Sequence, residues 1–569
     1  LSTWLRAGKL DAATLRTLIV AALQAAAERA PLLISIEDTH WMDSASWALL
    51  LAAARAVSPM LLVLASRPVS EAQQCAEQLE LYRDKRTRIL RLEGLLPQHA
   101  RAFICAQLGA DTIAEEVLDL ITRRTEGNSF FTEQLALALR DAGALIVTDG
   151  HAALRPGVNL TTDVSLPDTL NGVVTQRIDR LAPTEQLALK VASVVGRSFS
   201  AMVVNDIFPI EAVRGRLTPH LASLSQVGLT SPNSDGIEQS YLFRHIITQE
   251  VTYNLMLFEQ RRALHLAVAE WFENNIQDLS PYYPLIAHHF MRAEAPARAI
   301  PYLLRAGDQA LASSANAEAL SFFADAARLD AARPGGPDPS RQAHCAIQMG
   351  FAHYSLARID ESDREFQRGL ALTPAALPQT RSGILRGLLK EAAIQALHRQ
   401  LPSRLAPLWR AAETLELRLL ANAYNTLSQI RYLRNDRLGI FFCGLKALNL
   451  AEQTGESVEL TEALGSMAVV ATFANLRTVA ASYAARAEQQ LPRVADPLRR
   501  SSVLIFMLLY RGSTCDWAGG IKFGEEIVQL SERIANARLL QGGLQGIARC
   551  AMRWGRFSVA ATAYERMWE

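Results

Sequence analysis

The chain has 569 residues, 50% of them hydrophobic and 20% charged, with a formal net charge of +1. That length exceeds one core and predicts several domains. The composition excludes a disordered chain, and the near-neutral balance offers no basic field for nucleic acid.

Residues 11–30 are rich in Ala and Leu at helical spacing, Pro31 ends that helix, and Leu32–Ile36 reads as a buried strand. Ser44–Ala56 reads as a helix capped by Asp43 or Ser44, and Met60–Ala65 as a second strand running into Ser66-Arg67-Pro68. Arg88–Leu92 reads as a third strand. Strands alternating with helices predict a parallel sheet covered on both faces. The chain opens on Leu1 in a mid-domain helical pattern and stops in another, so a fragment of a longer protein is expected, with the first strand of the sheet before Leu1.

Pro97–Leu108 and Ala114–Arg124 are predicted helices, and Glu126–Phe131 a turn into the helix Thr132–Ala142, with Asn128 as a cap. Gly143–Pro156 reads as a hairpin. In 167–260, helices at Leu170–Leu181, Thr184–Val195 and Arg214–Val227 precede short strands near Leu229–Ser231 and Glu238–Phe243 around the turn Pro232–Gly236. Helices followed by a hairpin are the pattern of a winged helix. From 261 onward only helices are expected, in pairs. Gly350, Phe366, Gly369 and Pro374 fit one 34-residue tetratricopeptide unit, and turns near Asn435, Asn475, Asp516 and Gly555 give a period of about 40. Paired helices of this kind bury their faces only by stacking into a superhelix.

The six cysteines are scattered without a C-x-x-C pair and read as free thiols in a reducing cytoplasm. His288–His289 is the only histidine pair; neighbours on a helix point apart, which argues against joint metal ligation. No apolar run reaches the roughly 18 residues of a membrane span.

The residues that carry chemistry are Glu37 and Asp38, two acids at the end of an apolar strand, where ligands of α/β sheets sit. Like charges there are costly without a cation. The division of labour expected is Glu37 toward Mg²⁺ through water and Asp38 toward a hydrolytic water; an ordinary exposed turn is the structural alternative. No G-x-x-x-x-G-K-[ST] phosphate loop occurs in the 569 residues.

Leu32–Asp43, LLISIEDTHWMD, resembles the Walker B segment of STAND-type signalling ATPases, AAA-related P-loop proteins. Leu61–Pro68 resembles the next strand of that family, whose terminal Arg, here Arg67, senses the γ-phosphate. Thr125–Leu135 resembles the family's T-x-G-N-P-F-F-x-E-x-L segment with Ser129 in place of Pro, and Phe243–Leu255 resembles the F-R-H-x-x-x-Q-E helix that closes its winged helix. Leu285–Leu329 is similar to proteins in which the ATPase follows a class III nucleotide cyclase.

The resemblance implies a mostly α chain with a partial α/β core at 1–95, a helical lid at 96–165, a winged helix at 166–260 and a tetratricopeptide-like solenoid at 261–569. It implies ATP or ADP with Mg²⁺ as cofactors, Asp38 as the catalytic residue, Glu37 and Arg67 as nucleotide contacts, and Glu37 as the Mg²⁺ contact. It further implies a protein or small ligand on the repeats, a homo-oligomer, an upstream output domain and a cytoplasmic location. His40 and Trp41 are expected to pack beneath the nucleotide. His245 and Gln249 are expected to be structural, Arg261 and Arg262 a solvated face, and no direct nucleic-acid contact is expected.

Overall fold

The computed structural model describes residues 12–70, 74–155, 169–233, 239–400, 415–455, 457–533 and 537–568. The opening segment and the tip of the 229–243 hairpin, both interpreted above, lie outside the described residues. Two compact units result: Arg88–Tyr302, and a second assembled from Leu1–Thr87 with Leu303–Glu569. The fold is mostly helical, with small sheets and a helical repeat-like solenoid.

In the assembled unit, α1 (Ala12–Ala27) stops short of Pro31, and β1 (Leu32–Ile36) pairs in parallel with β2 (Met60–Leu64), Leu32 opposite Met60 and Ile36 opposite Leu64. The crossover is α2 (Ser44–Ala56), and α3 (Ala76–Arg83) follows. Because side chains alternate across a strand, Ile36, Leu62 and Leu64 pack on Trp47, Leu50 and Leu81. The opposite face differs from expectation. Leu33 is 68% exposed and Leu61 61%, so among the described residues only one face of the sheet is covered. The third strand is also absent. Arg88 and Arg91 interrupt the apolar run, which forms no regular element, with Ile89, Leu90 and Leu92 exposed and without a strand partner among the described residues.

The Arg88–Tyr302 unit begins with α4 (Pro97–Leu108), β3 (Thr112–Ile113), α5 (Glu115–Thr125), α6 (Ser129–Asp141), β4 (Leu145–Thr148) and β5 (His151–Leu154). The predicted hairpin forms, and β3, too short to read from sequence, adds in parallel to β5. Ile104, Ile121, Leu135 and Leu139 fill this core. Next come α7 (Leu170–Asp179), α8 (Pro183–Val195), β6 (Ser198–Ser200), α9 (Ala201–Asp206), α10 (Thr218–Gln226), β7 (Thr230–Asn233) and β8 (Ser240–Phe243). The helix expected from Arg214 begins at Thr218, because Gly215 takes φ +79° and Pro219 sits in the first turn. The sheet order β6-β8-β7 closes an arrangement of helix, strand, two helices and hairpin. Four helices follow: α11 (Ile246–Asn254), α12 (Phe258–Asn275), α13 (Tyr283–Arg292) and α14 (Pro296–Ala312).

The solenoid continues with α15 (Asn316–Ala331), α16 (Pro339–Ser355), α17 (Ile359–Ala371), α18 (Arg381–Gln400), α19 (Leu415–Leu433), α20 (Arg437–Gln453), α21 (Val458–Phe473), α22 (Arg477–Gln490), α23 (Pro497–Ser513), α24 (Trp517–Arg533), α25 (Ala537–Arg553) and α26 (Phe557–Trp568). Gly350 and Phe366 meet as the repeat pattern requires: a Cβ on Gly350 would lie 2.8 Å from the Phe366 ring. Gly307 and Phe323, separated by the same number of residues, form a second such pair. Residues in the left-handed region mark the turns within pairs at Asn435, Asn475, Cys515 and Gly555, a strict interval of 40.

Candidate functional site

Beyond Ile36 the chain turns sharply. Asp38 adopts φ 54°, ψ 37°, a left-handed conformation that non-glycine residues seldom take and that Asp tolerates better than most. The turn is held from beneath by Thr39, which is fully buried and donates both its N–H (3.0 Å) and its hydroxyl (3.2 Å) to the Ala65 carbonyl. The Ala65 N–H in turn donates to the Ile36 carbonyl at 2.9 Å. The pairing therefore extends one residue past β2 and is tied to Thr39, three residues past β1. Glu37, Asp38 and Arg67 leave the same edge of the sheet, with Glu37 and Arg67 exposed and Asp38 half-buried.

A single turn, Thr39–Trp41, follows, with the Trp41 N–H donating to Asp38 O at 3.0 Å. Trp41 is exposed, contrary to its expected place beneath the site, while both His40 ring nitrogens are buried without a hydrogen-bond partner among the described residues. Asp43 caps α2 as predicted, its Oδ1 accepting from the Ser46 N–H at 2.7 Å. Glu318, on α15, adds a second carboxylate to this helix N-terminus by accepting from Ser44. Backbone N–H groups at a helix start favour such anions.

The other motifs singled out in the sequence converge inside the Arg88–Tyr302 unit. Gly127 is the point where two backbones cross: Leu95 N–H donates to its carbonyl at 2.7 Å, and a Cβ there would lie 2.7 Å from Leu95 O. Asn128 caps α6, its Oδ1 accepting from Phe131 N–H at 2.9 Å. Glu133, buried on the same helix, faces Arg244 (3.4 Å) and His245 Nε2 (3.5 Å), and Phe130 packs on the His245 ring with centroids 3.9 Å apart and planes tilted by 36°. His245 and Arg244 hold the Glu133 carboxyl below its ordinary range, against the effect of burial. Gln249 donates to the Ser193 carbonyl at 2.9 Å, the structural role expected of it. The sequence reading named both segments but did not foresee that they meet.

A buried histidine cluster was not foreseen either. His289 pairs not with its neighbour but with His265 on α12, Nδ1 to Nδ1 at 2.8 Å, and Tyr253 lies 3.0 Å from the other His265 nitrogen. One consistent assignment has Tyr253 donating to His265, and His265 donating to His289. Burial pushes both rings down to about 3, so they are neutral. Among the described residues no group of three or more His, Cys, Asp or Glu is placed to hold a metal, and no helix is long and apolar enough to cross a membrane.

Residues 98–153 match a domain of unknown function, DUF8739. An uncharacterized protein of Rhizobium meliloti is 25% identical over 328 residues, 55% of this chain and 29% of that protein. Adenylate cyclase type 10 of Rattus norvegicus is 21% identical over 360 residues, 48% of this chain and 22% of the cyclase. The chain thus spans less than a third of the length of the curated relatives it matches. Among solved structures, a Signal Transduction ATPase with Numerous Domains (STAND) protein with a tetratricopeptide repeat sensor from Pyrococcus horikoshii aligns over 97% of this chain and 82% of its own. Its identity is 12% and its TM-score 0.37. The apo quorum sensor NprR from B. thuringiensis aligns over 57% of this chain and 92% of its own, at 13% identity and TM-score 0.31.

Proposed function

We propose that this chain is the regulatory portion of a signal-transduction ATPase, in which the edge bearing Glu37, Asp38 and Arg67 is half of an ATP site and the solenoid is the sensor. The observation that carries the reading is the joint exit of two acids and an arginine from adjacent parallel strands, locked by the Thr39–Ala65 hydrogen bonds. Mg²⁺ is bound through one or two carboxylates, retained waters and substrate phosphates, and an exposed Glu37 with a half-buried Asp38 fits that donor set. Glu37 would hold the ion, which when bound neutralises phosphate charge. Asp38 would orient the attacking water, and Arg67 would contact the γ-phosphate. The output domain on this reading is a nucleotide cyclase outside the chain, supported by the Leu285–Leu329 resemblance and by the adenylate cyclase relatives; a transcriptional regulator or kinase is the alternative output.

The second reading, a non-enzymatic repeat scaffold, is favoured by the lack of a G-x-x-x-x-G-K-[ST] loop in this sequence, since backbone amides and a Lys normally cradle the phosphates. The 569-residue chain alone is expected to show no ATP binding in calorimetry; micromolar binding would point to a non-standard phosphate site. In the full-length protein, Asp38→Asn should lower ATP turnover at least a hundredfold with nucleotide still bound, and Glu37→Gln should weaken Mg²⁺-dependent binding. Unchanged turnover in Asp38→Asn would favour the scaffold.

A further inference from the structure

We infer that the concave groove of the solenoid binds a linear, largely apolar peptide by its backbone and holds an acidic group of that peptide at the α25 end; this rests on the sensor reading above. The groove is a cavity of about 1140 Å³ lined by α14, α16, α19, α21, α23 and α25. Packed helix axes lie 8–10 Å apart, so a path across six of them is roughly 40 Å long. A compact small molecule cannot follow such a path. An extended chain at about 3.3 Å per residue covers it with about a dozen residues.

The lining sets the chemistry. On α19, Arg418, Asn422, Asn425, Gln429 and Tyr432 recur every three or four residues and share one face. Asn425 is only 7% exposed, and its Oδ1, a buried acceptor, has no partner among the described residues. A buried acceptor left unpaired is costly, and a peptide N–H arriving in the groove would satisfy it. The charged lip neutralises itself, two arginines against two carboxylates: Arg499 Nη2 lies 3.0 Å from both Glu459 Oε1 and Glu462 Oε2 and donates to Asn422 Oδ1 at 3.3 Å, and Arg418 Nε lies 4.0 Å from Glu459 Oε2. That stretch asks for no net charge on its occupant. About three turns further along the same two helices, Tyr432 and Phe473 stack with ring centroids 5.9 Å apart and planes 5° apart, yet stay 58% and 56% exposed, an open apolar platform for side chains. At the far end Arg549 and Arg553 lie one helical turn apart, and neither has a carboxylate partner among the described residues. That pair supplies the positive complement for an acidic side chain or a terminal carboxylate.

The test is an mRNA-display selection from a random dodecapeptide library with free C-termini, run against the full chain. Enriched peptides should be aliphatic and aromatic with one acidic group near an end. Their affinity should fall at least tenfold in Asn425→Leu, at least tenfold in the double variant Arg549→Glu/Arg553→Glu, and severalfold in Phe473→Ala, with unchanged melting temperatures. Phe473 and the two arginines are exposed, so those variants keep the test valid should Asn425→Leu fail to fold. No enrichment, enrichment of lysine-rich peptides, or binding indifferent to these variants would overturn the proposal. The sensor reading fails separately: peptide binding that leaves ATP turnover of the full-length protein unchanged upholds the groove and overturns the sensor. Turnover that responds to deletion of the solenoid while no peptide enriches upholds the sensor and overturns the groove.

Discussion

Glu318 accepts two hydrogen bonds from a single residue, the N–H and the hydroxyl of Ser44, each at 2.8 Å. Ser44 begins the helix that follows the acidic turn, so a solenoid residue caps α2, the helix next after Glu37 and Asp38. Glu318→Ala should cost about 1 kcal/mol, the usual worth of a helix cap, and Glu318→Gln less, because an amide oxygen still accepts. Urea titration of the two variants checks the order; equal losses would mean that the charge, not the hydrogen bonds, matters.

Gly350→Ala should destabilise the repeat by about 1–3 kcal/mol, since the added methyl meets the Phe366 ring at 2.8 Å and a packed core accommodates it only by shifting. Phe366→Ala should cost about 3–5 kcal/mol through the cavity it leaves. The double variant should lose less than the sum, because a smaller residue at 366 makes room for the methyl. A double-mutant cycle in thermal unfolding reads this coupling.

The His265–His289 pair predicts acid sensitivity. Both rings fall from 6.5 to about 3, chiefly by burial and further by neighbouring positive groups including His288. The unfolded chain takes up protons below pH 6.5 that the folded one refuses. Stability is therefore full above pH 6.5 and falls steadily as pH drops toward 3. His289→Leu should flatten that fall between pH 6.5 and 5, as melting temperatures at stepped pH would show; an unchanged slope would locate the sensitivity elsewhere.

Glu462 has the opposite sign. Burial raises its carboxyl from 4.5 to about 7 against the pull of Arg499, so the folded state binds a proton that the unfolded state has released. Stability from this group is present below pH 4.5 and is lost as pH rises through 7. Glu462→Gln, a neutral isostere, should stabilise the solenoid at pH 8 by something on the order of 2 kcal/mol and leave it unchanged near pH 4.5. Denaturant midpoints at the two pH values decide it.

What the sequence disclosed followed from local spacing. The apolar strand with its acids, the Asn128 cap and the Gly350–Phe366 pair are short-range patterns, and they appear where the spacing placed them. Arg88–Leu92 failed because a run with two arginines lacks the continuous apolar face that a central strand requires, and no strand among the described residues pairs with it. The second glycine–aromatic pair, Gly307 with Phe323, carried the same spacing and was readable but unread. Glu133 with His245, and His265 with His289, were not legible at all. Each joins residues that only packing brings together, and the adjacency of His288 and His289 drew attention to the wrong partner. In the candidate site, the types and order of Glu37, Asp38 and Arg67 came from sequence, whereas Thr39 as the anchor and the left-handed turn at Asp38 came from the structure alone.

The interval between Asn435, Asn475, Cys515 and Gly555 has a genetic corollary. Because each helix pair occupies forty codons, an in-frame duplication or loss of one such block lengthens or shortens the concave surface by a whole step and leaves every neighbouring stripe in phase. A block one codon longer or shorter would rotate the next stripe by about 100°, since an α-helix takes 3.6 residues per turn, and would turn groove residues toward the core. The solenoid can thus change its own length by recombination while keeping the rest of its surface in register.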